Sequence, residues 1–85
     1  MKKVFFSKAA AKALSKMPAN TARRIRRKID AYAEDPASQA ANLRALTGYD
    51  EIRLRVGDWR VIMNDRGEVI QIIKIAPRGQ AYKGA

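Results

Sequence analysis

The stretch Ile52-Arg53-Leu54-Arg55-Val56-Gly57-Asp58-Trp59-Arg60-Val61-Ile62-Met63-Asn64 decides the fold. Apolar and polar side chains alternate with period 2 on both sides of Gly57-Asp58, the pattern of two strands joined by a two-residue turn. With Gly57 and Asp58 in the loop, Val56 faces Trp59, Leu54 faces Val61 and Ile52 faces Met63, so six apolar side chains share one face. A slip of one residue would turn all six away from the core, so the pairing supports its own register. The same register sets Arg55 directly opposite Arg60, with Arg53 two residues further along that face.

Downstream, Asn64-Asp65-Arg66-Gly67 makes a second turn into Val69 to Ile75, a nearly continuous apolar run that suits a central strand covered on both sides. Upstream, Ala37 to Asn42 carries no ionisable group and reads as a loop, and the period before it is 3.6. Ala22, Ile25, Ile29 and Ala33, with Tyr32 beside them, form one face of a helix closed by Asp35-Pro36. Arg23, Arg24, Arg26, Arg27 and Lys28 occupy the rest of that helix. Pro18 stands at its first turn and ends an earlier helix striped by Ala10, Leu14 and Met17, for which Ser7 is the N-cap. Lys2 to Phe6 is a short strand. The expected fold is therefore α+β, a small single domain over residues 1–85, built as a strand, a helical hairpin and a three-stranded antiparallel meander. No repeat or linker interrupts it.

A chain of 85 residues allows one hydrophobic core, and with Cys 0 no disulfide staples it. The 47% apolar content is globular. Absent cysteine fits a reducing compartment, and the expected location is cytoplasmic. No uncharged stretch approaches the roughly 18 apolar residues of a spanning helix, so no membrane association is expected. Lys8 and Lys12 interrupt any signal-peptide core, and the start is expected to belong to the mature protein. With His 0, the usual acid–base side chain near neutral pH is missing, and any catalysis uses other groups.

The formal net charge of +10 calls for a polyanionic partner. Residues 1–29 hold ten basic groups and no acidic one, whereas residues 30–85 carry eight of each. The helical excess has two readings: a solvated face, or a steering and docking surface for an acidic chain or RNA. The opposed arginines of the hairpin also have two. Like charges facing each other destabilise a sheet by a few tenths of a kcal/mol or more, which a solvated face tolerates. Alternatively they form an anion cradle, because guanidinium stays charged and matches phosphate oxygens bidentately.

The run from Leu43-Arg44-Ala45-Leu46-Thr47-Gly48-Tyr49 through the arginine hairpin, continuing into Ile75-Ala76-Pro77-Arg78 and Tyr82, closely resembles the core signature of the RelE/ParE superfamily of type II toxin–antitoxin toxins. It is most similar to the RelE branch, the ribosome-dependent mRNA interferases, and the resemblance covers essentially the whole chain.

What the resemblance implies is a microbial ribonuclease-like fold and cleavage of mRNA in the ribosomal A site. There the 2′-hydroxyl attacks the adjacent phosphate, without metal or other cofactor, leaving a 2′,3′-cyclic phosphate and a 5′-hydroxyl. By this resemblance Arg60 corresponds to the phosphate-stabilising arginine, Arg78 to a general acid or charge stabiliser, and Tyr82 to a residue that stacks on or orients the substrate. Arg53 falls where relatives carry a catalytic lysine, and Arg55, Arg44 and Lys74 are candidate RNA-binding residues. Guanidinium, with a pKa above about 12, is a poor base. Glu51 is one candidate for that role, but its ordinary role as an ion-pair partner for Arg53 is the favoured reading, so the base is unassigned. The implied partners are a cognate antitoxin, the ribosome with mRNA in its A site, and operator DNA through the antitoxin complex only. Two alternatives share the scaffold: a ParE-like toxin that poisons DNA gyrase and cuts no RNA, and an inactive protein that only binds antitoxin and operator DNA.

Overall fold

The structure, a computed structural model, describes residues 2–45 and 51–78. Strand β1 (Lys3–Phe6) leads into helices α1 (Lys8–Lys16) and α2 (Ala19–Glu34). A 3-10 helix (Pro36–Asn42) follows, then strands β2 (Leu43–Ala45), β3 (Ile52–Val56), β4 (Trp59–Asp65) and β5 (Val69–Pro77). The sheet order is β1-β5-β4-β3-β2.

The hairpin takes the register its alternation dictates, with Val56 against Trp59, Leu54 against Val61, Ile52 against Met63 and Arg55 against Arg60. Leu54, Val61 and Met63 are fully buried beneath the helices, where they meet Ile25 and Ile29 of α2 and Ala10 and Leu14 of α1. Ser7 fixes the start of α1: its Oγ accepts from the amide of Ala10 at 3.0 Å and donates to the carbonyl of Ile73 at 2.6 Å, tying the cap to β5.

Three features extend or correct the sequence reading. First, β1 lies parallel to β5, pairing Val4 with Ile70 and Phe6 with Ile72, so the meander gains an edge strand on one side. Second, Leu43–Ala45 adds an antiparallel edge strand on the other side, and the expected loop before it is a 3-10 helix whose Gln39 is buried. Third, β5 is not covered on both sides. A bulge at Ile73, between the pairs Ile62–Lys74 and Met63–Ile72, lets Ile70, Ile72 and Ile75 all join the helix-covered core despite their odd spacing. On the opposite face only Ile62, Ile73 and Ala76 cluster, and Gln71 is exposed.

At the end of the sheet away from the Gly57 turn, Asp65 joins three elements. It accepts from Lys2 Nζ at 2.7 and 2.9 Å, from the Tyr32 hydroxyl at 2.6 Å and from the amide of Gly67 at 2.8 Å. Burial alone would raise its carboxyl, but these hydrogen bonds and the charge of Lys2 hold it below the usual carboxylate range. Burial, and then the Asp65 carboxylate, push the Tyr32 phenol well above its ordinary value. Among the described residues, no helix is long and apolar enough to cross a membrane.

Candidate nucleic-acid site

The hairpin tip organises the site. Gly57 has φ +58°, while Asp58 stays at negative φ, the sign pattern of a type II′ turn with glycine in its first loop position. The absence of a side chain here also leaves room for a neighbour. A Cβ at this position would stand 3.0 Å from Nη2 of Arg24, because the α2 guanidinium lies directly over the turn. The other side of the turn is held by β5: the amide of Arg78 donates to the carbonyl of Asp58 at 2.7 Å.

Arg55 and Arg60, opposed in the register, are drawn to different neutral acceptors. Arg60 Nη1 donates to the carbonyls of Gly57 and Trp59, both at 2.9 Å, so its guanidinium folds back over its own turn. Arg55 Nη2 donates to Asn42 Oδ1 at 3.3 Å, while the Asn42 amide reaches Gln39 Oε1 at 3.5 Å. Both cations are thus positioned without being neutralised. The Lys2–Asp65 ion pair lies at the far end of the sheet. Arg24, Lys28, Arg55, Arg60 and Arg78 together line a concavity of about 410 Å³, in which Asp58 is the one acidic side chain and Val56 the one large apolar one.

The residues singled out from sequence fall into two rows on the sheet face opposite the helices. Arg55 and Arg60 form the row at the tip, continued by Ala76 of β5, with Arg78 just beyond the strand end. Arg44, Arg53 and Lys74 belong to the next row inward, where Arg44 pairs with Arg53, Arg53 with Ile62 and Ile62 with Lys74. Arg53 and Lys74 are half-buried and Arg44 is exposed. The structure therefore gathers Arg55, Arg60 and Arg78 in the concavity, and sets Arg44, Arg53 and Lys74 beside it on the same face. Tyr82 lies outside the described residues, as do Leu46 to Asp50.

The sequence offered the helical charge as a solvated face or a docking surface without linking it to the hairpin, yet Arg24 and Lys28 of α2 are part of the concavity's wall, and Asn42 helps to hold Arg55. The spacing of Arg24 and Lys28 at i, i+4 marks one helix stripe beside the buried Ile25–Ile29 stripe. Nothing in that spacing alone says which end of the sheet the stripe overhangs.

Chemically, the concavity presents the planar donor forks of Arg55, Arg60 and Arg78, the first held by the Asn42 side chain and the second by backbone carbonyls, with Asp58 the one carboxylate beside them. That arrangement suits tetrahedral or trigonal-bipyramidal phosphate oxygens. It also concentrates charge where an extra negative oxygen would develop during phosphoryl displacement.

A family model described as the ParE toxin of the type II toxin–antitoxin system parDE matches residues 4–82. The chain is 34% identical to one in the structure of an archaeal RelE–RelB complex from Pyrococcus horikoshii OT3, covering 94% of this chain and 98% of that one at a TM-score of 0.72. Two further structures share the fold. One is a RelB–RelE antitoxin–toxin complex from Methanococcus jannaschii, at 23% identity, coverage of 95% and 98%, and TM-score 0.74. The other is the isolated RelE toxin of E. coli, at 17% identity, coverage of 98% and 90%, and TM-score 0.71. Comparison with curated protein sequences returned no match.

Proposed function

The chain belongs to the ParE toxin family, in the RelE/ParE superfamily of type II toxins, and from that premise we propose that it is a ribosome-dependent mRNA endoribonuclease that arrests translation. The observation that carries this reading is the convergence of Arg55, Arg60 and Arg78 in one concavity at the hairpin tip, uncompensated by any ion pair among the described residues. Solvent tolerates the like-charge opposition of Arg55 and Arg60, and an entering phosphate turns it into a bidentate cradle.

In the proposed reaction the 2′-hydroxyl gives up its proton to solvent and attacks the neighbouring phosphorus, a P–O bond forms, and the bond to the 5′-oxygen breaks, that oxygen taking a proton to leave as the 5′-hydroxyl. Arg60, tethered at the turn, neutralises charge on the non-bridging oxygens as the phosphorane forms. Arg78 stands by the leaving oxygen, and Arg53 stabilises charge from the adjacent row. Tyr82 orients the base or sugar. Arg55, Arg44 and Lys74 hold flanking phosphates. Much of the rate enhancement is electrostatic, with the ribosome supplying the alignment of attacking and leaving oxygens. The partners that follow from this reading are a cognate antitoxin, as in the RelB-bound relatives, and the ribosome carrying mRNA in its A site, with operator DNA contacted through the antitoxin complex only.

A second reading is favoured by one specific observation: the family model that matches is the ParE one. In that reading the same surface docks on DNA gyrase and no RNA is cut. Primer extension on mRNA from cells expressing the chain separates the two. Discrete breaks within codons support the ribonuclease, whereas intact transcripts with arrested supercoiling support the gyrase poison.

A further inference from the structure

The cations of α2 are the feature that the catalytic set does not absorb. Arg24 lies over the Gly57 turn, 3.0 Å from where a side chain there would begin, and Arg24 and Lys28 line the hairpin-tip concavity together with Arg55, Arg60 and Arg78. The same two residues also line a second concavity, of about 460 Å³, between α2 and the 3-10 helix, where Arg23 and Arg27 join them. The two hollows therefore share a wall, and cationic side chains run without a break from the outer face of the sheet, across the tip, onto α2.

We propose that Arg24 and Lys28 are phosphate-binding residues that carry a single RNA strand off the hairpin tip and along α2, so that the substrate is held on both sides of the scissile phosphate. The proposal rests on the ribonuclease reading for the identity of the strand. Phosphate fits the tip better than an acidic protein segment does. An amphipathic peptide needs apolar surface to bury, and the tip concavity offers only Val56, which is already packed in the core. Gly57 has a part in this track, since a Cβ there would stand 3.0 Å from Arg24 Nη2 and would displace the guanidinium that lies across the turn.

The test compares Arg24→Gln/Lys28→Gln with Lys12→Gln/Lys16→Gln. The second pair removes the same charge from exposed positions on α1, and glutamine keeps helix propensity in both. Binding to a 2′-O-methyl single-stranded RNA oligonucleotide, which cannot be cut, is followed by fluorescence anisotropy across a potassium chloride series. The Arg24/Lys28 variant is expected to bind more weakly, with the slope of log K against log salt reduced by about 1.4, from about 0.7 per lost single-strand phosphate contact. The α1 variant keeps the wild-type slope. Equal losses in the two variants, an unchanged Arg24/Lys28 variant, a wild type that does not bind the oligonucleotide, or displacement of the RNA by an acidic peptide in preference to RNA competitor would each overturn the track. Cleavage by the wild type on ribosomes is scored separately. Absent cleavage with the site-specific slope change intact overturns the proposed reaction and leaves the track standing, while intact cleavage with unchanged binding does the reverse.

Discussion

The backbone amide of Arg78 donates to the carbonyl oxygen of Asp58 at 2.7 Å, so the residue that follows the last strand is pinned to the turn of the first hairpin. The bond uses only backbone atoms and leaves the guanidinium free to serve the concavity. Replacing the side chain should therefore separate function from folding.

Arg78→Ala is expected to leave stability within about 0.5 kcal/mol of wild type and to reduce mRNA cleavage by roughly 10²- to 10³-fold, the effect of removing one preorganised charge stabiliser. Thermal melts and a reconstituted translation assay check the two halves. A folded variant that cuts at the wild-type rate would remove Arg78 from the site.

Arg60 has a double role, because its Nη1 also satisfies the carbonyls of Gly57 and Trp59. Arg60→Ala should lose activity to a similar degree and, unlike Arg78→Ala, should also destabilise by about 1 kcal/mol through the lost turn contacts. The urea midpoints of the two variants, measured side by side, test that difference.

Gly57→Ala places a side chain at φ +58° and against Arg24 Nη2. A cost of about 1–2 kcal/mol follows from the left-handed conformation, together with weaker RNA binding as Arg24 is pushed aside. Equilibrium unfolding and oligonucleotide binding measure the two effects. Unchanged binding in a folded variant would mean that Arg24 does not act through its position over the turn.

Asp65 sets an acid limit on the fold. Its native pKa is lowered, so in the acid range the unfolded chain holds more protons than the native one, and stability rises with pH there. The contribution is complete above the unfolded value of about 3.9 and is lost as pH falls through the lower native value. Asp65→Asn should cost about 1.5–3 kcal/mol at pH 7, since Lys2 and Tyr32 lose a charged acceptor. The gap between variant and wild-type urea midpoints should narrow below about pH 4. A constant gap down to pH 2 would contradict the assignment.

The hairpin register was legible because alternation on both strands and Gly57-Asp58 between them admit one pairing that buries Leu54, Val56, Val61 and Met63 together. The bulge in β5 was not, because Val69 to Ile75 is almost uniformly apolar and a continuous run carries no phase. The parallel pairing of β1 with β5 spans 66 positions in the chain and leaves no local signal, and three residues at Leu43–Ala45 are too few to show a period. In the site, the opposition of Arg55 and Arg60 followed directly from the register. The arrival of Arg24 and Lys28 did not, because it depends on where α2 crosses the sheet.

The arginines at the hairpin tip are proposed to cut mRNA on the ribosome. The most direct measurement is primer extension on a defined message translated in a reconstituted system with the purified chain, beside its Arg60→Ala/Arg78→Ala variant. Discrete breaks at the A-site codon, carrying 2′,3′-cyclic phosphate and 5′-hydroxyl ends, are expected with the wild-type chain and vanish in the folded double variant. Intact message with the wild-type chain, or breaks that persist undiminished in the folded double variant, would contradict the proposed cleavage.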